Sequence, residues 1–481
     1  MKTRYFSSVI ALLALVAPWS MQAQTPTHQS VVNNSIGSTS SVVNGVTADA
    51  NGNMIITGWR TDALDLGGTA YAQGPGAIFL AKFNAQGNEL WTKVSGSAEM
   101  FGNHKGMSVA TDGAGNIYNA GWIFGQEQAT FDGTTLPLGT FGFVAKYTQV
   151  GTLLWVKAFP GGVNAIAVDG NGNPFINLGD ATIEKLDPAN GNSVASAAGS
   201  GDLQNVLYHN IEIDASNNVI AQWGNKITKY DNALNQLWST PLVKPNLAES
   251  FRISVDDSGD VWATFYALFG TVTLGGTDYT TFPNGYIYRL DGTSGAVSNC
   301  ASPGAYKIKK VFHTGGGELN AFGDFAFNDP YMVKYDVNLT ALQSVLSFDT
   351  KDVVSIGPDC FVLGGAHDAD ITLDGTTYTR PNGSGQENAI AGYLCAGTVG
   401  MEESAAAATL FALAPNPAAD RVSITTASQT KWVELTDLRG STLLRLPVRA
   451  GRCDIDLSRL ANGVYLVRDD AGHAQRLVIA R

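Results

Sequence analysis

The sequence predicts an all-β protein: a seven-bladed β-propeller followed by a small Ig-like β-sandwich. Three observations lead to this prediction. A strand–turn–strand unit recurs along the middle of the chain, glycine contributes 54 of the 481 residues, and only 15% of the residues are charged. Such a composition suits many tight turns between short strands and does not suit long surface helices.

The first half of each repeated unit is an apolar strand ending in Asp, a turn of Gly and Asn, and a second apolar strand. Copies lie at residues 46–56, 109–118, 167–173, 213–218 and 255–260, with degenerate copies at 314–319 and 356–361. The second half is a strand that carries a basic residue, then a turn and often a Trp. Its copies lie at residues 79–91, 143–155 and 227–238, with weaker ones at 183–186, 287–290, 332–335 and 390–393. Each unit supplies about four short strands, which is one propeller blade.

The start of the repeat region predicts how the ring closes. The last unit ends near Cys395, directly after its third strand. Residues 29–32, before the first unit, look like the fourth strand of unit six at residues 343–346. We therefore predict that the N-terminal strand completes the last blade, within a propeller domain at residues 24–397. Closure in this way removes two exposed sheet edges.

The units resemble the β-propeller repeats found in exported bacterial proteins. The Asp-x-x-Gly-Asn turns, the Phe-Val-Ala-Lys-Tyr strand at residues 143–147 and the Trp that ends several units carry this resemblance. It covers about residues 30–397. The resemblance implies the fold and leaves the function open, because propellers host many unrelated activities.

The last seventy or so residues form a different pattern. Two prolines mark a boundary, since each restricts the preceding residue to extended conformations. Residues 422–425 and 433–436 then alternate as short strands, and residues 463–467 follow a turn as another strand. These strands predict a small β-sandwich. The motif residues are Pro415, Asn416, Pro417, Asp437, Gly440, Gly463 and Tyr465.

This order of motifs resembles the type A C-terminal sorting domain of cargo of the type IX (Por) secretion system in Bacteroidetes-like bacteria. The resemblance implies a linker at residues 398–411 and a sorting domain at 412–481. It implies export across the outer membrane, with release or surface attachment after the tail is removed, and it names the secretion machinery and its sortase as partners. The alternative is an Ig-like terminal module with no role in sorting.

The N-terminus predicts a signal peptide at residues 1–23. Lys2 and Arg4 precede an apolar run at residues 9–16, which is too short to span a bilayer, and Ala23 is a plausible cleavage point. No later stretch is long and apolar enough for a transmembrane helix, so we expect no integral membrane segment after cleavage. The predicted route leads through the periplasm to the outer-membrane surface or the medium.

The net charge argues against nucleic acid and anionic lipid as partners. The chain carries −12, and residues 411–481 contain ten Arg or Lys against seven Asp or Glu, so the remainder carries −15. Such a surface repels nucleic acid and anionic lipid.

No enzyme motif is recognisable. The chain lacks His-Glu-x-x-His, Gly-x-Ser-x-Gly, Gly-x-x-x-x-Gly-Lys and Cys-x-x-Cys, and its six His show no metal or triad spacing. We therefore predict a non-enzymatic binding or structural protein of adhesin-like or glycan-binding-like type. The alternative is an extracellular polysaccharide hydrolase or lyase, which would need clustered carboxylates or a His at the propeller funnel.

The turns offer the best candidates for a metal, and calcium is the metal that their oxygen atoms suit. Asp49, Asn51 and Asn53 alternate such atoms, and the same pattern recurs at Asp169, Asn171 and Asn173. The alternative, which the repetition favours, is that Asp, Asn and Gly make tight hairpins for backbone reasons. No other cofactor is expected.

Candidate ligand-binding residues follow the second strand of units one and two. They are Trp59, Arg60, Asp62 and Trp122, because an aromatic ring beside polar groups suits a sugar or peptide. The alternative is that both Trp pack between blades, as we expect for Trp91, Trp155 and Trp238.

Four cysteines remain. Cys360 and Cys395 fall in one predicted blade and are candidates for a disulfide, with Cys300 as a rival partner; Cys453 in the tail is expected to be unpaired.

Overall fold

The structure is a computed structural model, and the described parts of the chain are separated by short gaps. They are residues 26–36, 40–61, 63–68, 70–71, 77–96, 104–124, 128–139, 141–199, 211–223, 225–243, 248–250, 252–267, 270–281, 284–304, 307–313, 318–326, 329–336, 340–357, 360–380, 387–395, 411–414, 418–426, 430–436, 442–449, 451–458, 460–461, 463–469 and 474–479. The predicted signal peptide, most of the predicted linker, Asp62, Pro415, Asn416, Pro417, Asp437 and Gly440 lie outside them.

Seven antiparallel sheets, which we number as blades 1 to 7, are described between residues 27 and 395, and each is built on four principal strands. Blade 1 contains Ser41–Ala48, Met54–Arg60, Ala77–Phe83 and Glu89–Gly96. Blade 2 contains Lys105–Thr111, Ile117–Ile123, Phe141–Tyr147 and Leu153–Phe159. Blade 3 contains Val163–Val168, Pro174–Leu178, Thr182–Leu186 and Ser193–Ala198. Blade 4 contains Ile211–Ile213, Val219–Trp223, Lys226–Tyr230 and Gln236–Val243. Blade 5 has a first strand in two parts, Ala248–Ser250 and Ser254–Val255, followed by Val261–Ala267, Asn284–Leu290 and Val297–Gly304. Blade 6 contains Lys307–His313, Leu319–Ala326, Asp329–Tyr335 and Ala341–Leu346. Blade 7 contains Asp349–Gly357, Cys360–His367, Asn388–Cys395 and Thr27–Asn33.

The first strands of the blades line the centre of a ring. From blade 1 to blade 6 each contacts its neighbour in chain order. The first strand of blade 7 contacts the second strand of blade 6 and the first strand of blade 1. One bond across this last junction runs from the Val46 backbone N–H to the Asp352 carboxylate, at 3.1 Å. The chain therefore folds as a β-propeller, as the repeat predicts.

The N-terminal strand Thr27–Asn33 is the fourth strand of blade 7. It pairs antiparallel with Asn388–Cys395, placing Val32 opposite Ala391. Val32 is buried there, and the Asn388 side chain donates to the Asn33 amide oxygen at 2.9 Å. The structure thus shows the strand pairing that we inferred from the missing fourth strand of unit seven.

A disulfide joins Cys360 and Cys395, which lie opposite each other on the second and third strands of blade 7. Of the pairings that the sequence left open, the structure has Cys360 with Cys395, and Cys300 is a free thiol.

Burial explains the apolar runs of the middle strands. Every residue of Pro174–Leu178 and of Asn388–Cys395 is buried, because neighbouring blades cover both faces of these strands. The fourth strands form the outer rim and expose apolar side chains; Leu90, Leu154 and Leu237 are each about half exposed.

Long connections between second and third strands form small hairpins at the seams between blades. These hairpins are Thr130–Phe131 with Thr134–Thr135, Gly270–Leu274 with Thr277–Thr281, and Ile371–Leu373 with Thr376–Tyr378. The first two add to the fourth strand of the preceding blade. Asp374 and Gly375 at the third turn both have positive φ, as a tight two-residue hairpin requires. The buried Phe131, Leu274 and Leu373 anchor the hairpins, so these loops strengthen contacts between blades.

The chain divides into two compact units, Met1–Val399 and Gly400–Arg481. The second unit has a three-stranded sheet of Phe411–Ala414, Arg421–Thr426 and Arg452–Asp456, and a four-stranded sheet of Thr442–Pro447, Trp432–Thr436, Gly463–Asp469 and Ala474–Ile479. Its own core includes Val422, Leu435 and Leu477. The predicted small sandwich is confirmed, and Cys453 is a buried free thiol within it. In the described residues of the whole chain, no helix has the length and apolar character needed to cross a membrane.

Candidate functional site

The Asp-rich turns close on themselves through hydrogen bonds. The Asp49 carboxylate accepts the backbone N–H groups of Asn51 and Asn53 at 2.9 and 3.0 Å, the Asn53 side-chain amide at 2.8 Å and the Lys82 ammonium at 2.8 Å. Burial would raise the pKa of Asp49, but the bonds from Lys82 and Asn53 outweigh it and hold that pKa below its usual value.

The second candidate turn has the same geometry. Asp169 accepts the backbone N–H groups of Asn171 and Asn173, the Asn173 side-chain amide at 2.9 Å and the Asn232 side-chain amide at 2.7 Å. In both turns N–H donors face the carboxylate, which is the hairpin role. Among the residues described, no group of three or more His, Cys, Asp or Glu could hold a metal ion. Calcium binding stays an untested prediction.

The lysine of the third strand and the tryptophan of the fourth strand connect neighbouring blades. The Lys82 ammonium and the Trp91 indole N–H both donate to the backbone carbonyl of Gln149 in blade 2, at 3.2 and 3.1 Å. The same pair of bonds recurs from Lys146 and Trp155 to Pro188, and from Lys229 and Trp238 to Gly292. The prediction that these Trp pack between blades is confirmed.

A glycine makes room for the indole ring in the turn it meets. Gly295, in the turn that receives Trp238, has φ +71°, and a Cβ there would lie 2.6 Å from the ring. Gly191 plays the same part under Trp155, with φ +74° and the same 2.6 Å separation. Any larger residue would push the blades apart at these turns.

We predict that Lys229→Met strongly destabilises the propeller. The Lys229 ammonium lies 2.7 Å from the Asp214 carboxylate, and both side chains are less than 10% exposed. Removing one partner of a buried pair leaves an uncompensated charge, which costs about 3–5 kcal/mol. Lys93→Met is the matched control, because its pair with Asp132 is about 30% exposed and contributes about 0–1 kcal/mol. Denaturant unfolding measures both, and equal losses would contradict the prediction.

The two candidate tryptophans lie in one row with a lysine and an asparagine. The Lys105 ammonium sits 4.9 Å from the centre of the Trp59 ring, and Lys105 is paired in register with Trp122 on the next strand. The Trp122 indole N–H donates to the Asn164 side chain of blade 3 at 3.0 Å. All four side chains are half-buried. We call Trp59, Lys105, Trp122 and Asn164 the indole row.

Arg60 takes no part in this row. Its side chain is 4% exposed, and its guanidinium donates to the backbone carbonyl of Tyr71 at 3.4 Å. The structure therefore brings Trp59 and Trp122 together through Lys105 and leaves Arg60 in the packing under the loop of blade 1.

The central channel contains charged residues that the sequence analysis missed. At one register position, four residues before the first turn, blades 1 to 3 carry Gly45, Ser108 and Ala165, whereas blades 5 to 7 carry Arg252, Lys310 and Asp352. In five of these blades a bulge in the first strand directly precedes this position. Aligning the repeats on their turns would have exposed this change from small to charged residues.

Ion pairs cross the channel between blades that are not neighbours. Arg252 of blade 5 pairs with Asp352 of blade 7 at 3.1 Å, and it donates to the backbone carbonyl of Asn44 in blade 1 at 3.3 Å. Lys310 of blade 6 pairs with Glu212 of blade 4 at 3.2 Å. We call these the channel bridges.

A second charged group lies between blades 6 and 7. The Lys309 and Lys351 ammonium groups share the Asp349 carboxylate, at 2.5 and 2.6 Å, and Lys309 also contacts Asp324 at 3.1 Å. Burial would raise the pKa of Asp349, but these two ammonium groups outweigh it and lower that pKa.

The identity of the C-terminal unit follows from its sequence and its sandwich. Residues 412–480 match the family described as secretion system C-terminal sorting domain. This unit is a type IX sorting domain. The chain is accordingly an exported cargo that reaches the cell surface or is secreted. Of its motif residues, Gly463 begins a strand, and the Tyr465 hydroxyl on that strand donates to the Ala461 carbonyl at 2.9 Å.

Several solved structures are similar to this chain. BamB from Moraxella catarrhalis aligns over 77% of this chain and 100% of its own, at 10% identity and a TM-score of 0.45. The WD40 β-propeller domain of Doa1 aligns over 79% and 98%, at 10% identity and a TM-score of 0.46. A Bacteroides caccae protein of unknown function aligns over 56% and 90%, at 13% identity and a TM-score of 0.36. No curated protein sequence matches the chain. The propeller assignment rests on the strand topology.

Proposed function

We propose that this exported propeller is a non-enzymatic binding protein and that the indole row is its docking surface for an extracellular glycan. The observation that carries the proposal is the alternation of rings and polar groups across blades 1 to 3. Sugar rings stack on aromatic faces, and their hydroxyl groups need nearby donors and acceptors. Trp59 and Trp122 provide half-buried rings, with Gly162 of blade 3 against the second, while Lys105 and Asn164 provide a charged donor and an amide between and beside them.

The contacts within the row are compatible with this role. The Lys105 ammonium already lies over one indole, so the row is ordered before a ligand arrives. Trp122 also packs edge-on against Phe124, with ring centres 5.3 Å apart. Preorganised aromatic groups lose little conformational freedom on binding, which favours affinity.

The charged groups near the channel support binding over catalysis. A glycoside hydrolase needs a carboxyl group with a raised pKa as its general acid. Asp349 has a lowered pKa because Lys309 and Lys351 hold it as a carboxylate. Asp352 is engaged by Arg252 and by the Val46 N–H. The environment of Asp349 favours its ionised form, which cannot donate a proton to a leaving sugar.

A glycan array with purified secreted protein tests the proposal. We expect binding to at least one extracellular glycan, and we expect Trp59→Ala and Trp122→Ala each to weaken it by about 1–3 kcal/mol, the size of one lost aromatic contact in a pocket. Tyr266→Ala is the matched control. Tyr266 occupies the same register in blade 5, with the Lys307 ammonium 5.9 Å from its ring, but it lies outside the indole row.

Two results would overturn the proposal. One is glycan binding that both tryptophan variants leave unchanged, and the other is no binding to any glycan. A reducing-sugar assay on the glycans that bind separates the enzymatic alternative, because a hydrolase or lyase releases new chain ends and a binding protein does not.

A further inference from the structure

The channel bridges place two ion pairs at the centre of a fold that does not need them there. The Arg252, Asp352 and Lys310 side chains are at most 10% exposed, and the Glu212 side chain is 31% exposed. Blades 1 to 3 fill the same register with Gly45, Ser108 and Ala165, so the propeller geometry itself accepts small residues at this position. Buried ion pairs are weak contributors to stability, because desolvation offsets their attraction. Their presence on one side of the channel therefore calls for a chemical reason.

A chamber of about 240 Å³ lies beside these bridges. Its lining comes from the innermost segment of every blade, and runs from Arg252, Lys310 and Asp352, four residues before the first turn, to Glu212 and Thr47, two residues before it. The chamber therefore extends from the level of Arg252, Lys310 and Asp352 toward the face that carries the Asp-rich turns. The volume is below the roughly 300–1,000 Å³ of sites for drug-sized ligands, so it suits one small molecule.

The charge of the lining limits what that molecule can be. Two cations, Arg252 and Lys310, face two carboxylates, Glu212 and Asp352, so the four groups sum to zero. An ion entering such a space would lose its hydration without meeting a net countercharge. A neutral molecule with many hydroxyl groups can accept bonds from the cations and donate bonds to the carboxylates.

The lining also offers the apolar surface that such a molecule needs. Val46, Ile166 and Val353 form aliphatic walls, and the Ser108 and Thr111 hydroxyl groups lie among them. A sugar ring presents C–H faces as well as hydroxyl edges, and this combination of walls and polar groups matches both. The Lys310 ammonium carries three N–H donors, and one of its contacts is to Glu212.

We propose that the channel chamber is a second binding site, for a single neutral sugar residue or a polyol of similar size. It is separate from the indole row, since its lining includes none of the row's residues. A free monosaccharide or the end of a longer glycan meets the same chemistry here.

Ligand-observed NMR and calorimetry with the whole secreted protein test this site. The probes are neutral hexoses (glucose, galactose and mannose), one hexuronic acid and one hexosamine. We expect a neutral hexose to bind and the charged sugars to bind at least tenfold more weakly. The double variant Glu212→Gln/Lys310→Met should weaken the neutral sugar by about tenfold or more, because it replaces two charged hydrogen-bonding groups together.

Two further variants keep the test decisive. Ala167→Phe adds bulk to the chamber wall without altering charge and should also block the sugar. Lys93→Met/Asp132→Asn removes an ion pair on the outer rim and should leave binding unchanged. Melting temperatures establish that each variant is folded. Offering oligosaccharides next to monosaccharides distinguishes a chain end from a free sugar.

Three outcomes would overturn the proposal: tighter binding of a charged sugar, no binding of any hexose by the unaltered protein, or full binding by folded Ala167→Phe and the double variant. Failure here is distinguishable from failure of the indole-row proposal. Variants of Trp59 and Trp122 affect the glycan array and should leave hexose binding in the chamber unchanged.

Discussion

Deleting residues from 411 onward is expected to abolish appearance of the propeller on the surface or in the medium of a host with a type IX system. The sorting domain occupies this segment, and it has its own hydrophobic core. Since the propeller has separate cores, it should stay folded and accumulate inside the cell. Immunoblots of cell, surface and medium fractions measure the result.

Point variants separate loss of the sorting domain from loss of chain length. Leu435 is fully buried in the sandwich, so Leu435→Asp places a charge in its core and should block export as the deletion does. Arg445→Ala is the control on the adjacent strand, because its guanidinium is more than half exposed. Equal export of the truncated and complete chains would refute the assignment of this segment as the export signal.

The sequence was sufficient for the fold because the features that define it are local. An apolar strand, an Asp and a Gly-Asn turn follow one another within a dozen residues, so each copy is visible on its own. Closure was visible for a different reason. A unit that stops at Cys395 lacks one strand, and residues 29–32, which follow the predicted signal peptide and precede unit one, look like a fourth strand.

The contacts that join the blades could not be predicted from the sequence, for physical reasons. Lys82 and Trp91 donate to a backbone carbonyl of the next blade. At the three junctions with this contact, the carbonyl belongs to Gln149, Pro188 and Gly292. These share no side-chain chemistry, so no pattern marks them. The orientation of an Asn amide is equally invisible, and for this reason Asn53 could be considered a calcium ligand although its N–H group faces Asp49.

The candidate site was predicted in part. Trp59 and Trp122 were found because an aromatic residue at the end of a strand is a local feature. Lys105 was missed, since its place between them depends on how blade 1 packs against blade 2. The channel bridges were harder still to predict, because Arg252 and Asp352 are a hundred residues apart in the sequence and meet only across the closed ring.

Removing the N-terminal strand is expected to destabilise the propeller by several kcal/mol, a large share of a typical total of about 5–15 kcal/mol. Thr27–Asn33 is hydrogen-bonded along Asn388–Cys395, and each such bond contributes about 0.5–1.5 kcal/mol. Burial of Val32 adds about 1.5–3 kcal/mol. Blade 7 would be left with three strands and an open edge that can pair with other chains.

Calorimetry of the chain from residue 24 measures this effect against two controls. A deletion of similar length at residues 400–408, in the predicted linker, should leave the melting temperature of the propeller unchanged. Val32→Asp keeps the backbone pairing but buries a charge, so it should lower the melting temperature, whereas Thr27→Asp at the exposed start of the strand should not. If the chain without residues 24–33 melts with its parent, the strand does not hold the ring closed. The bonds that retain closure would then be those between the first strands of blades 7 and 1, where Asp352 accepts the Val46 N–H.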